Sequence, residues 1–452
     1  MTGARSWRVR RSGGLRGTVR VPGDKSIAHR ALLFAALADG ECTLDEFPGG
    51  LDNVATADAL RAMGVAIAAR DGTVLVGGRG LRGLRMAATP IDCGNSGTTM
   101  RLLAGLLAAQ QFGTRLVGDA SLSRRPMRRV IEPLRARGAH IAGSALPGKE
   151  GELYPPLSIA PLIDGERLHA LDLSTGVASA QVKSAMLLSG LYADGPTLVT
   201  EPTVSRDHTE RMLDALGVPI ERVGPAVALD PRGWRGAWDP FRWSVPGDLS
   251  AAAFPLVAAL VVPDSDVTLP GVGTNPTRTG LLEALGDMRG RVATGARGTT
   301  PYGEPIGDLR AATSALRGAL VAGERIVRAI DEVPALCVAA ACAEGRTEIA
   351  NASELRVKES DRIAAMASVL ASFGASVEER PDGLVIEGAR GRLRGARIDS
   401  RGDHRIAMSA CVLGLVAEGD TEVDDVACVD TSFPGFAALL RSLGAEVEEH
   451  GP

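Results

Sequence analysis

The sequence predicts an α/β protein of two similar lobes, each made of three copies of a helix–strand–helix–strand unit, and three observations carry that reading. First, a helix rich in Ala and Leu, then Gly or Asp, then a short β-branched strand occurs six times in the 452 residues. The copies are ALLFAALADGECTL from Ala31, MRLLAGLLAAQQFGTRLV from Met100, AMLLSGLYADGPTLV from Ala185, AAAFPLVAALVVPDSDVTL from Ala251, ALCVAAACAEGRTEI from Ala335 and AMSACVLGLVAEGDTEV from Ala407. Second, each copy continues into a further helix that ends at a glycine, namely Gly64, Gly138, Gly217, Gly286, Gly374 and Gly444. Glycine reaches the left-handed conformation that closes a helix and releases the chain into a strand. Third, Val21-Pro22-Gly23-Asp24 and Val245-Pro246-Gly247-Asp248 open the first and fourth copies, which divides six units into three and three with a boundary near Val245.

Taken in order, the first copy begins at Pro22-Gly23, with Lys25, Ser26 and Arg30 at the mouth of an apolar helix running from Ala31 to Leu37. A helix start offers unpaired N–H groups and positive dipole, so these side chains suit a phosphate or carboxylate; Asp24 or Ser26 as a simple cap is the plainer reading. The second Pro-Gly-Asp opening has Leu249 where Lys25 stands, so the scaffold recurs without the charge. The second copy opens at Asp92-Cys93-Gly94-Asn95-Ser96-Gly97-Thr98, where the glycines allow close backbone approach, and continues through a loop carrying Arg124, Arg125, Arg128 and Arg129. The third opens at Ser179-Ala180-Gln181-Val182-Lys183, and its second helix at Ser205-Arg206-Asp207, where Asp207 and Glu210 have capping-box spacing. In the fourth copy Asp287, Met288 and Arg289 follow the glycine, which makes it the least regular. The fifth opens with Asp331-Glu332, carboxylates suited to a helix start, and continues with Lys358 and Arg362, four apart and so on one helical face. The sixth opens with Asp403-His404-Arg405, Asp403 serving as cap. Strand-like segments Ser6 to Arg10 and Leu15 to Val21 precede all of these and have no evident place among them.

Composition bounds the function. With 45% hydrophobic and 23% charged residues the chain is a globular protein with a large core, and its length calls for two or three domains. A net charge of −4 and 3% aromatic residues argue against a nucleic-acid surface. No apolar run reaches membrane-spanning length and no secretory signal is evident, so a cytoplasmic protein is expected, without membrane partners. The six cysteines lack a paired C-x-x-C spacing and predict buried reduced thiols, with neither a metal site nor a cofactor. Nearly every polar motif falls at a helix mouth, so several such mouths together would hold a small ligand with more than one anionic group.

PGDKSIAHR, GNSGTTMR, DASLSRRPM, SAQVKSA, SRDHTERM, DEVP, LRVKESDR, DHRIAM and TSFPGF, in this order over nearly the whole chain, resemble the 5-enolpyruvylshikimate-3-phosphate (EPSP) synthase family of transferases. The resemblance implies an inside-out α/β barrel fold of two lobes, each of three βαβαββ units with helix N-termini toward a cleft. It assigns residues 23–245 to the first lobe, and residues 1–22 with 246–452 to the second. It implies transfer of the enolpyruvyl group of phosphoenolpyruvate to the 5-hydroxyl of shikimate 3-phosphate, releasing phosphate, in the shikimate pathway to chorismate and the aromatic amino acids. By motif match, Lys25, Ser26, Arg30, Ser179, Ala180, Gln181, Arg206, Asp331 and Lys358 would contact shikimate 3-phosphate. Lys25, Gly97, Arg125, Gln181, Arg362 and Arg405 would hold phosphoenolpyruvate. Asp331 would be the base, with Glu359 and Lys25 the groups available to protonate the methylene carbon. Glyphosate is the expected inhibitor and a monomer the expected state. Two other functions fit less well. UDP-N-acetylglucosamine enolpyruvyl transferases usually carry a reactive cysteine in the loop that here runs from Gly113 to Met127, which has none; a noncatalytic anion-binding protein would need no acid and base.

Overall fold

The structure, a computed structural model, describes residues 5–163, 165–389 and 391–451. Among the described residues the strands form six four-stranded sheets, one for each sequence repeat. The second repeat shows the plan: Ile91–Asp92 runs parallel to Thr114–Val117, which is antiparallel to Tyr154–Ile159, itself antiparallel to Ile141–Ser144. With its two helices, Gly97–Leu107 and Arg128–Ala136, this is a βαβαββ unit. In the first repeat the leading strand comes from the far end of the segment, Arg242–Ser244, which lies parallel to Glu41–Asp45. The N-terminal strands fill corresponding gaps later in the chain. Arg16–Thr18 pairs in parallel with Asp266–Thr268 of the fourth sheet, while Ser6–Val9 is inserted between Thr421–Val423 and Val447–His450 of the sixth.

The chain divides into two compact units, Lys25–Val245 with Thr299–Glu304, and Met1–Asp24 with Pro246–Gly298 and Pro305–Pro452. Each has its own apolar core, built around the first helix of every repeat. Beyond the polar residues of their first turns these helices are largely apolar, as helices enclosed by their neighbours must be; in Leu249–Val261 every residue from Leu249 to Leu260 is buried. Each leucine so enclosed contributes roughly 1.5–3 kcal/mol. Gly105 shows how closely two of these helices approach, since a Cβ there would lie 2.3 Å from the Ala185 carbonyl oxygen in Ala180–Gly190.

Five of the six expected glycine caps have positive φ: Gly64, Gly138, Gly217, Gly374 and Gly444. Gly286 does not. It lies inside the helix Gly280–Asp287, which runs on through the expected stop, and the left-handed residue is Arg289 at φ 63°. The first helix also begins earlier than expected, at Lys25 rather than Ala31, so Lys25 and Ser26 stand in its first turn.

The paired Pro-Gly-Asp turns explain why that opening occurs twice. Asp24 N–H donates to the Pro246 carbonyl (2.7 Å) and Asp248 N–H to that of Pro22 (2.8 Å), so the two copies bind each other reciprocally. Arg278, buried, joins them by reaching Asp24 (2.9 Å) and Asp248 (3.2 Å).

Candidate functional site

In the Lys25–Val245 unit, three helix starts carry the residues singled out from the sequence. Lys25 Nζ lies 2.7 Å from Asp52 Oδ2. Arg30, one turn on and buried, donates to the Ser26 carbonyl (2.8 Å), Ser184 Oγ (2.8 Å) and Thr209 Oγ1 (2.6 Å). Its fork therefore ties the first helix to the third repeat. At the second helix start Ser96 is the cap, accepting from Thr99 N–H at 3.1 Å, and Gly97 is the first helical residue. Gln181 reaches across from the third repeat: its Nε2 donates to Thr98 Oγ1 (2.9 Å) while its Oε1 accepts from Arg101 Nη1 (2.6 Å). Arg125 is buried and donates to Asn95 Oδ1 at 2.6 Å. A Cβ on Gly97 would stand 2.8 Å from Arg101 Nη1 and 3.2 Å from Arg125 Nη1, so a side chain there would have to push the guanidinium ends aside. Ser179 caps its helix by accepting from Val182 N–H (3.4 Å); Ser179, Ala180 and Arg206 are half-buried.

The other unit gathers charges of both signs. Arg362 is buried and contacts three carboxylates: Asp403 through Nε (2.9 Å) and Nη2 (3.2 Å), Glu359 (2.7 Å), and Asp331 (3.4 Å). Burial opposes its charge, but Asp403, Glu359 and Asp331 outweigh that and hold the guanidinium above its ordinary value. Burial would likewise raise Asp403, yet Arg362 brings it below the usual carboxylate range. Asp403 also caps the helix His404–Gly414, accepting from Arg405 N–H at 3.0 Å, and it accepts from Ser360 Oγ at 2.8 Å. Asp331 Oδ1 lies 3.5 Å from Lys358 Nζ, and Arg405 Nη1 donates to the Asp331 carbonyl at 2.6 Å. The structure thus brings Asp331, Lys358, Glu359, Arg362 and Arg405 together.

Two local expectations are corrected. Lys358 and Arg362 do not share a helical face: Lys358 is extended after the short turn Ser353–Val357, and the helix starts at Arg362 because Asp361 caps it. The two cations converge through Asp331 instead. Asp207 and Glu210 form no capping box, since Asp207 accepts from Arg211 Nε (2.9 Å) and Glu210 turns inward to Lys183 (2.8 Å). Glu332 stands at the start of the Val333–Ala341 helix as expected, and its carboxylate turns to Ser250 Oγ, from which it accepts, and to Arg278 at 3.4 Å. The sequence reading passed over Asp52, Arg101, Glu201 and Asp403 as site members. Arg101 stands in the GNSGTTMR stretch and Asp403 in DHR, so a signal existed for these two. Asp52 and Glu201 carry none, being ordinary acidic residues until the fold places a cation beside each.

Six βαβαββ sheets in two units, with cations gathered at helix starts, define the enolpyruvyl transferase class of α/β proteins. Residues 9–440 match the family model described as EPSP synthase (3-phosphoshikimate 1-carboxyvinyltransferase), and the chain belongs to that family. It is 51% identical over 442 residues to a 3-phosphoshikimate 1-carboxyvinyltransferase of Acidithiobacillus ferrooxidans, covering 97% of this chain and 98% of the relative. A protein of the same name from Geobacter metallireducens is 50% identical over 440 residues, with 97% and 99% coverage. A solved EPSP synthase from Acinetobacter baumannii superposes with a TM-score of 0.85 at 41% identity, covering 99% of this chain and all of that one.

Proposed function

We propose that this chain transfers the enolpyruvyl group of phosphoenolpyruvate to the 5-hydroxyl of shikimate 3-phosphate, giving 5-enolpyruvylshikimate 3-phosphate and phosphate. The observation that carries the mechanism is Asp331, whose carboxylate is 15% exposed, has Lys358 and Arg362 within 3.5 Å, and is anchored at its carbonyl by Arg405. In this reading Asp331 takes the hydroxyl proton as oxygen attacks C2 of phosphoenolpyruvate, while the methylene carbon gains a proton from Lys25 or Glu359. Loss of a methyl proton with departure of phosphate then restores the double bond. Lys25, Ser26, Arg30, Ser179, Ala180, Gln181, Arg206 and Lys358 serve shikimate 3-phosphate; Lys25, Gly97, Arg125, Gln181, Arg362 and Arg405 serve phosphoenolpyruvate. Arg101, bound to Gln181 and adjacent to Gly97, joins the second set.

The test is phosphate release from phosphoenolpyruvate with either shikimate 3-phosphate or UDP-N-acetylglucosamine as acceptor. Release only with the first is expected; release only with the second would overturn the assignment. Among the described residues no helix is long and apolar enough to cross a membrane. A monomer acting in the cytoplasm is the setting we propose.

Glyphosate belongs to the same proposal, as an inhibitor competing with phosphoenolpyruvate. Gly97→Ala places a methyl against Arg101 and Arg125. A ligand longer than the substrate has less room to follow the displaced guanidinium groups, so the inhibition constant should rise more than the Michaelis constant, by about 1–3 kcal/mol of overpacking. Steady-state inhibition with varied phosphoenolpyruvate decides this: equal shifts in both constants would exclude Gly97 from a shared site.

A further inference from the structure

We propose that Glu201 is a positioning residue that fixes the two loops assigned above to shikimate 3-phosphate, and this rests on that assignment. Glu201 follows the strand Thr197–Thr200 and is buried, with its two carboxylate oxygens turned to different loops. Oε1 accepts from Ser179 N–H at 2.7 Å. Oε2 accepts from Ser205 N–H at 3.2 Å and from Ser205 Oγ at 2.8 Å. Ser179 directly precedes Ala180 and Gln181, and Ser205 directly precedes Arg206, so one carboxylate holds the main chain beside both groups of ligand-facing residues.

Lys183 completes the device. Its ammonium lies 2.7 Å from Glu201 Oε2 and 2.8 Å from Glu210 Oε1, and donates to the Ser205 carbonyl at 3.4 Å. A buried ion pair by itself is a poor source of stability, because desolvating the charges offsets their attraction. The division of labour here points to geometry instead. Glu201 spends both oxygens on loop donors, whereas Glu210 is left with Oε2 buried and without a hydrogen-bond partner. Burial pushes Glu210 above the usual carboxylate range despite Lys183. Both glutamates serve the charge of Lys183, and Glu201 alone also holds the loops.

Glu201→Gln keeps the size but turns an amide NH2 toward groups that are themselves donors, so at least one loop must shift. Glu201→Asp keeps the charge but is one methylene shorter and cannot span both loops. In each, the KM and the calorimetric Kd for shikimate 3-phosphate should rise about tenfold, near the equivalent of one charged hydrogen bond, with kcat within about twofold of the parent and a smaller rise in the KM for phosphoenolpyruvate, which only Gln181 of these residues serves. Ser205→Ala, which removes only one donor, should give a smaller rise of the same kind and provides the test if neither glutamate variant folds. Unchanged affinity for shikimate 3-phosphate in a folded variant, or an equal loss in shikimate 3-phosphate binding, in kcat and in the KM for phosphoenolpyruvate, would overturn the proposal. Arg206→Ala is the control for the underlying assignment: unchanged shikimate 3-phosphate binding there would remove the site reading itself, independently of Glu201.

Discussion

Asp331→Asn is expected to lower turnover by about 10²–10⁴-fold, the usual contribution of a positioned base, while shikimate 3-phosphate still binds. The amide matches the carboxylate in size but cannot accept the hydroxyl proton. Lys358 and Arg362 each lose one charged contact, and Arg362 remains held by Asp403 and Glu359, so the surrounding structure should survive. Loss of binding should not exceed about 1.5–3 kcal/mol, one charged hydrogen bond. Phosphate-release kinetics and calorimetry with shikimate 3-phosphate measure the two quantities separately. Near-normal turnover would exclude Asp331 as the base; loss of binding in proportion to turnover would make it a binding residue only.

The second large effect is on stability. Arg362→Met leaves Asp403, with a side chain fully buried, and the partly buried Glu359 and Asp331 around a vacated cation. Removing one member of such a buried set costs about 3–5 kcal/mol, because the remaining charge is neither solvated nor paired. Arg362→Lys should recover only part of this, since Asp403 binds Nε and Nη2 together and a lysine has no fork. The deficit should also depend on pH. With Arg362 present, Asp403 is held below its ordinary value, so its stabilising contribution is complete above about pH 4 and fades as pH falls through the folded value. Without Arg362, protonating Asp403 relieves the buried charge, and the gap between parent and variant should narrow on acidification. Urea denaturation at neutral and acidic pH checks this; a gap that widens in acid would mean Arg362 does not pair with Asp403.

Much of the architecture was legible because it rests on periodic and local signals. Six apolar helices and the glycines that end most of their companions are written into residues a few positions apart. Gly286 misled because glycine permits a left-handed turn without requiring one, and the helix continued through it. At the site, Asp403 was readable as a cap because capping is a local interaction. Its second role, pairing with Arg362 forty-one positions away, was not. Lys358 and Arg362 were correctly grouped for the wrong reason: helical spacing was assumed, and Asp331 is what gathers them. Arg278 had no local signature at all, because its partners Asp24, Asp248 and Glu332 are scattered through the chain and meet only after folding.

The insertion of Ser6–Val9 between Thr421–Val423 and Val447–His450 has a consequence for how the chain is made. Ser6–Val9 is made before every other described strand and is among the last to find its partners. At ordinary synthesis rates that wait is on the order of tens of seconds, during which an apolar strand segment containing Trp7 and Val9 has both edges unpaired. Lys25–Val245, by contrast, contains every strand of its three sheets and can form them while the rest is still being translated. A chain stopped before Thr421 would therefore hold every strand of five sheets and a permanently unmatched Ser6–Val9, which makes this early strand, and not the missing tail, the segment through which incomplete products aggregate.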